Sequence, residues 1–169
     1  MAVIDVGGRV RQGEELDVQA ITEWLIQNGN NIESPVEVTQ YSGGASNWTY
    51  RLKYANADLI LRRPPQGTKA KSAHDMAREY HVQKALAGYY PVVPEMVALC
   101  QDESVIGCDF YVMKRIEGII PRAKMPPELQ LTESDIRTLC INMIDKLIEL
   151  HQVPYTGTEL EKLGKGEGY

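Results

Sequence analysis

The sequence predicts an α+β fold: a five-stranded antiparallel sheet with a helix inserted after its third strand, a helix ahead of the sheet and a long helix behind it. Two observations carry that expectation. Apolar residues recur at helical spacing in three stretches and follow strand patterns in five short ones, in the order helix, three strands, helix, two strands, helix. The breaks between successive strand stretches are short and rich in Gly, Ser, Asn and Asp, which suits hairpins.

The first helix is expected from about Val18 to Asn28. Asp17 is placed to cap it, Leu16 and Ile21 have the spacing of a hydrophobic staple, and Gly29 stops it. Its stripe is Val18, Ile21, Trp24 and Leu25. Val36–Tyr41 alternates as a strand, Ser42–Asn47 breaks it, and Trp48–Tyr54 resumes. Asn56-Ala57-Asp58 reads as a turn before a short buried strand, Leu59–Arg63, which Pro64-Pro65 ends because proline cannot donate to a ladder. The second helix is expected over Ala73–Leu86, with Ser72 and Asp75 at capping-box spacing. Strands at Glu95–Cys100 and Cys108–Met113 flank a turn-rich connection, Gln101–Gly107, and form a hairpin. The last helix runs from about Glu133 to Leu150, capped by Thr132 with Asp135 at N3, and Leu131 is spaced to staple to Ile136. Its stripe is Ile136, Leu139, Cys140, Met143, Ile144, Leu147 and His151. This is the element order of a protein-kinase-like amino-terminal lobe, and also of other α+β domains.

Composition excludes several classes. Apolar residues are 43% of the 169 and charged residues 24%, as in a globular domain. No apolar run approaches the roughly 20 residues of a membrane span, and Met1–Glu15 has no apolar signal core. Eighteen Lys and Arg against 23 Asp and Glu give a net charge of −5, so neither nucleic acid nor a membrane is expected as a partner. Cys100, Cys108 and Cys140 are scattered, with no C-x-x-C and no histidine at ligand spacing. That pattern argues for a reducing, cytoplasmic compartment, without disulfides or a zinc site.

Four segments are candidates for chemistry. In Ser42–Asn47 the adjacent Gly43 and Gly44 let the backbone approach anionic oxygens, and Ser46 and Asn47 add side-chain donors; the plain alternative is a hairpin turn. No G-x-G-x-x-G and no G-x-x-x-x-G-K-[ST] is present. Arg62 and Arg63 end a buried strand, so one should point inward, where it needs a carboxylate or phosphate, unless both reach solvent at the strand end. Glu79 has Met76, Val82 and Leu86 at i−3, i+3 and i+7. On such a face an unpaired carboxylate is costly, and Arg62 or Arg63 is the natural partner; the alternative is an exposed Glu beside Arg78. Phe110–Met113 leads into Lys114–Gly118, where a strand leaving its sheet exposes backbone groups suited to a purine edge, or forms a plain linker. His151 is expected to be structural, His74 and His81 solvated, and Lys69 and Lys71 part of a basic loop. Gly164-Lys165-Gly166 has no strand before it and reads as a tail.

As an ordered set these segments resemble the aminoglycoside phosphotransferase / choline-kinase-like family of small-molecule kinases, closest to the branch that also occurs fused to acyl-CoA dehydrogenases. The resemblance rests on Gln40–Asn47, Leu59–Pro65, Ser72-Ala73-His74, Arg78-Glu79-Tyr80, Asp102–Gly107, Phe110–Met113, Glu117-Gly118 and Leu147–His151, and covers roughly residues 14 to 169. It implies that Ser42, Gly43, Gly44, Ser46 and Asn47 belong to a phosphate-covering loop. It also implies that Arg62 replaces the third-strand lysine that holds the α- and β-phosphates, and that Glu79 orients it. Met113 would stand at the back of the adenine pocket, and the backbone of Lys114 and Ile116 would hydrogen-bond the adenine. Arginine is wider and planar where the kinase pattern has lysine, so Arg63 is a second candidate for the phosphate-holding role.

The resemblance further implies ATP or GTP with Mg²⁺ as cofactor and a small-molecule hydroxyl as acceptor. The family's catalytic base and metal ligands come from an H-x-D-x-x-x-x-N loop and a later Asp, and none of the three histidines here opens H-x-D. No catalytic or metal-ligating residue is therefore expected in these residues. The expected organisation is a nucleotide-binding lobe over 1–116, including the 17–28 helix. Residues 117–169 would hold a hinge, the linking helix 132–151 and the start of a truncated carboxy-terminal lobe. The chain alone is expected to be inactive and to self-associate through an uncovered apolar face. The alternative is a non-catalytic, pseudokinase-like module that binds a nucleotide or a partner.

Overall fold

The computed structural model of the protein describes residues 5, 7–33, 37–42, 47–67, 74–120 and 125–164. Five strands, β1 (Glu37–Gln40), β2 (Trp48–Lys53), β3 (Asp58–Arg63), β4 (Met96–Cys100) and β5 (Phe110–Lys114), form one antiparallel sheet in the order β1-β2-β3-β5-β4. The fold is therefore the expected α+β sheet with helices. The chain divides into two compact units: Val6–Lys84 with Pro94–Ile116, and Met1–Asp5 with Ala85–Val93 and Glu117–Tyr169.

In the first unit, strand alternation sorts side chains onto two faces. Tyr50, Leu52, Leu61, Phe110 and Val112, all fully buried, meet Ile21 and Leu25 of helix α1 (Val18–Gln27). Asp17 caps α1 by accepting from the Ala20 amide, as its position predicts. Trp24 sets its ring edge on Phe110 at 5.3 Å between centroids, and the Thr22 and Tyr54 hydroxyls pair at 2.9 Å inside the core. The opposite face carries Tyr111, packed with Met76 and Tyr80 of helix α2 (Met76–Leu86), with Met113 alongside.

Helix α2 starts three residues later than its spacing predicts. Asp75 is not at N3; its carboxylate accepts from the Arg78 amide, which makes it the cap. His74 before it has φ 67, outside the helical region. Ser72, the expected cap, lies outside the described residues. The connection between β4 and β5 is a hairpin that also contains a one-turn helix, α3 (Glu103–Ile106), capped by Asp102 and closed by Gly107 at φ 79. Asp58, read as part of a turn, instead opens β3.

In the second unit, helix α4 (Glu133–His151) has the predicted capping box, with Thr132 and Asp135 bonding each other's backbone amides. Its apolar stripe is present but is not packed. Every residue from Glu133 to Glu149 is exposed, including Ile136, Met143 and Leu147. Spacing marks which side of a helix is apolar and carries no information on what lies against it. Tyr90 donates to the Lys146 carbonyl at 3.0 Å, and a 3₁₀ turn (Pro127–Leu129) and helix α5 (Glu159–Leu163) complete the unit. No helix of the described residues is long and apolar enough to cross a membrane.

Candidate functional site

Arg62 and Arg63 end β3, and alternation sends them to opposite faces. Arg62 turns to the α2 face. Its Nη1 lies 3.5 Å from Glu79 Oε2, in a pair whose side chains are 31% and 34% exposed, and its guanidinium stands 5.9 Å from the centre of the Tyr111 ring. Arg63 turns to the α1 face, is 5% exposed, lies 5.4 Å from the centre of the Trp48 ring and donates from Nε to the Pro64 carbonyl. Of the two candidates, Arg62 is the one that pairs with Glu79. The buried Arg63, expected to need a carboxylate or phosphate, has an aromatic face and a carbonyl instead; among the described residues no carboxylate stands within ion-pair distance of it.

Glu79 is the centre of a wider network. Asn47, 4% exposed, donates from Nδ2 to Oε1 at 2.7 Å, and the Tyr111 hydroxyl donates to Oε2 at 3.0 Å. Burial pushes the Tyr111 phenol up to about 12, so it stays a donor at neutral pH. Gln83 donates to the Glu79 carbonyl, closing the helix side. Asn47 Oδ1 lies 2.7 Å from His74 Nδ1. A carboxylate only accepts, so Asn47 turns its NH₂ to Glu79 and its oxygen to His74, and the imidazole donates from Nδ1. His74 is thus part of the network, although the sequence places it in solvent. Tyr111 was legible only as a buried strand residue; a phenol in the run Phe110–Met113 does imply a hydroxyl in need of a partner.

Arg62, His74, Arg78, Glu79 and Gln83 help to line a cleft of about 470 Å³ on this face. Among the described residues the buried Nε of Arg62 has no hydrogen-bond partner. The nearest carboxylate oxygens are held at short range by neutral donors, so the arginine charge is only loosely compensated. A cation so placed beside an open cleft fits an anionic oxygen.

The remaining sequence-derived residues are distributed as follows. Ser42 is exposed, and Gly43, Gly44 and Ser46 lie outside the described residues. Met113 sits in β5 opposite Ile60 of β3, on the same face as Tyr111. The Lys114 amide donates to the Glu95 carbonyl at 2.8 Å, and its ammonium pairs with the Glu95 carboxylate. Ile116 follows β5 and is exposed. Between them, Arg115 is tied to the start of β3: its amide donates to the Asp58 carbonyl, and its guanidinium lies 3.3 Å from the Asp58 carboxylate. Asp58 also takes two bonds from Arg51, at 2.8 and 2.7 Å. These, with the Arg51 hydrogen bonds foremost, hold its carboxyl below the usual range. This anchor of the 114–116 stretch escaped the sequence reading, because Asp58 looked like a turn residue.

Residues 37–169 match the phosphotransferase enzyme family, APH. The chain belongs to that family. It is 40% identical over 134 residues to acyl-CoA dehydrogenase family member 11 of Gallus gallus, covering 79% of this chain and 17% of that protein. It is 36% identical over 141 residues to family member 10 of Mus musculus, covering 83% and 13%. A crystal structure from Ralstonia eutropha JMP134, described as a candidate aminoglycoside phosphotransferase, superposes with a TM-score of 0.69 at 30% identity, over 92% of this chain and 44% of that one. The chain therefore spans a fifth or less of these curated relatives and under half of the solved structure. Its sheet and helices match the kinase-like fold of that neighbour.

Proposed function

We propose that this phosphotransferase-family chain forms the nucleotide-binding part of an ATP-dependent enzyme that phosphorylates a hydroxyl of a small molecule. The observation that carries the reading is the Arg62–Glu79 pair, set beside a cleft on the sheet face opposite α1, with the Arg62 Nε unpartnered among the described residues. In this reading Arg62 holds the α- and β-phosphates and Glu79 orients it, while Ser42, Gly43, Gly44 and Ser46 cover the phosphates. Met113 backs the adenine, whose edge meets the Lys114 carbonyl and the Ile116 amide. The acceptor oxygen forms a bond to the γ-phosphorus, and the bridging oxygen leaves with ADP. The acceptor's proton goes to a base that these residues do not supply. In this reading the Mg²⁺ ligands, like that base, are supplied by the H-x-D-x-x-x-x-N loop and the later Asp that the family resemblance implies. Three scattered cysteines with no C-x-x-C support a cytoplasmic setting in this reading.

Titration of the full gene product with ATP, GTP and adenosine tests this. Arg62→Ala is expected to weaken ATP about tenfold or more, as loss of a charge-assisted contact does, and to leave adenosine unchanged. No nucleotide binding by the unaltered protein overturns the reading. A screen of small-molecule alcohols with MgATP then reads ADP release. Tight ATP binding with no transfer to any acceptor supports the second reading, a non-catalytic module. The 169-residue chain alone is expected to release no ADP; measurable turnover by it overturns that expectation.

A further inference from the structure

We infer that Asn47 and His74 are positioning residues that hold the Glu79 carboxylate so that Arg62 stays turned toward an incoming phosphate; the inference rests on the nucleotide reading above. The two Glu79 oxygens are held from different elements. Asn47, at the end of the β1–β2 connection, takes Oε1 at 2.7 Å, and Tyr111 of β5 takes Oε2 at 3.0 Å. Arg62 reaches only Oε2, at 3.5 Å. An arginine free to choose would take both oxygens with its planar fork. Asn47 instead holds Oε1 toward itself, so the carboxylate presents only Oε2 to Arg62. The buried Nε of the guanidinium has no partner among the described residues.

His74 completes the device. An asparagine amide can turn over and offer its oxygen to the carboxylate, which would be repulsive. The His74 donor on Asn47 Oδ1, at 2.7 Å, fixes the amide the right way round. His74 holds φ 67 immediately before the Asp75 cap of α2, so the start of the helix that carries Glu79 also carries the residue that orients its partner. Asn47 meanwhile precedes Trp48 of β2, two residues before the pairing of Thr49 with Arg62. The orientation of the Arg62–Glu79 pair is therefore set from the end of the proposed phosphate-covering connection.

Without the Asn47 amide the carboxylate is free to turn, Arg62 closes onto both oxygens, and its charge is neutralised by Glu79 instead of by a phosphate. The test is calorimetric titration of the full gene product with adenosine, ADP and ATP, reading the ratio of ATP to adenosine affinity. Asn47→Ala is expected to lower that ratio about tenfold, the size of one charge-assisted contact, with adenosine within about twofold of the unaltered protein. His74→Leu is expected to lower it in the same direction, and His74→Gln, which keeps an N–H donor, to restore it. If Asn47→Ala does not fold, the two His74 variants decide the matter. An unchanged ratio in the variants overturns the inference, as does an equal loss for adenosine and ATP, which is what a purely structural role produces. Failure of the unaltered protein to bind any of the three ligands overturns the nucleotide reading, and this inference with it.

Discussion

Replacing Glu79 by alanine removes one acceptor from three donors at once. Asn47 is 4% exposed and Tyr111 fully buried. A buried donor left without a partner costs about 1–3 kcal/mol. The Glu79 side chain is itself 34% exposed, so water can enter the space it leaves and recover part of that loss. The Arg62 contact, long and about one-third exposed, adds about 0–1 kcal/mol. The net expectation for Glu79→Ala is a loss of about 2–3 kcal/mol. Glu79→Gln separates the hydrogen bonds from the charge. Its amide oxygen still accepts from Asn47, and the Tyr111 hydroxyl can rotate to accept from the amide NH₂. Only the charge facing Arg62 is lost, and the cost should stay below about 1 kcal/mol. Urea denaturation of both variants and the unaltered protein at pH 7, with equal m-values, measures the difference. An alanine variant within about 0.5 kcal/mol of the unaltered protein would show that the network around Glu79 contributes no net stability, and equal losses for the two variants would refute the assignment of that stability to the hydrogen bonds.

Asp58 should contribute to the acid limb of stability. Its carboxyl is held below the ordinary range in the folded protein, mainly by the Arg51 hydrogen bonds, so its contribution is full above about pH 5 and fades as pH falls through the folded value. Asp58→Asn should therefore lower stability at pH 7 and converge with the unaltered protein in acid; a pH-independent difference in urea midpoint excludes this linkage. Leu61 is fully buried at the centre of the sheet, and Leu61→Ala is expected to cost about 2–5 kcal/mol by the same measurement; a loss under about 1 kcal/mol contradicts the packing described. The 169-residue chain should self-associate through the exposed apolar residues of α4, and Met143→Lys with Leu147→Lys should return it to the monomer; light scattering that shows the unaltered chain monomeric at high concentration overturns this.

Local signals proved reliable wherever the physics is local. Asp17 and Thr132 cap the helices they precede because a short acceptor there meets otherwise unpaired amides within three residues. Trp48–Lys53 and Asp58–Arg63 form strands where their residue types predict them for the same kind of reason. The cap of α2 was misplaced because two acidic or hydroxylic residues, Ser72 and Asp75, compete for the role, and the positive φ of His74 is not written in its neighbours.

Residue type and periodicity pointed to the three longest helices, the five strands and, as one of two readings, an arginine near a glutamate. They left open which arginine, and they missed Asn47, His74 and Tyr111 as parties to the pair. Those contacts join positions 27 to 32 residues apart, and Asp58 with Arg115 are 57 apart; no periodicity relates such positions. A hydrogen bond depends on where a donor and an acceptor arrive in space. That is decided when β2, β3, β5 and α2 pack against one another, after every local preference has been satisfied.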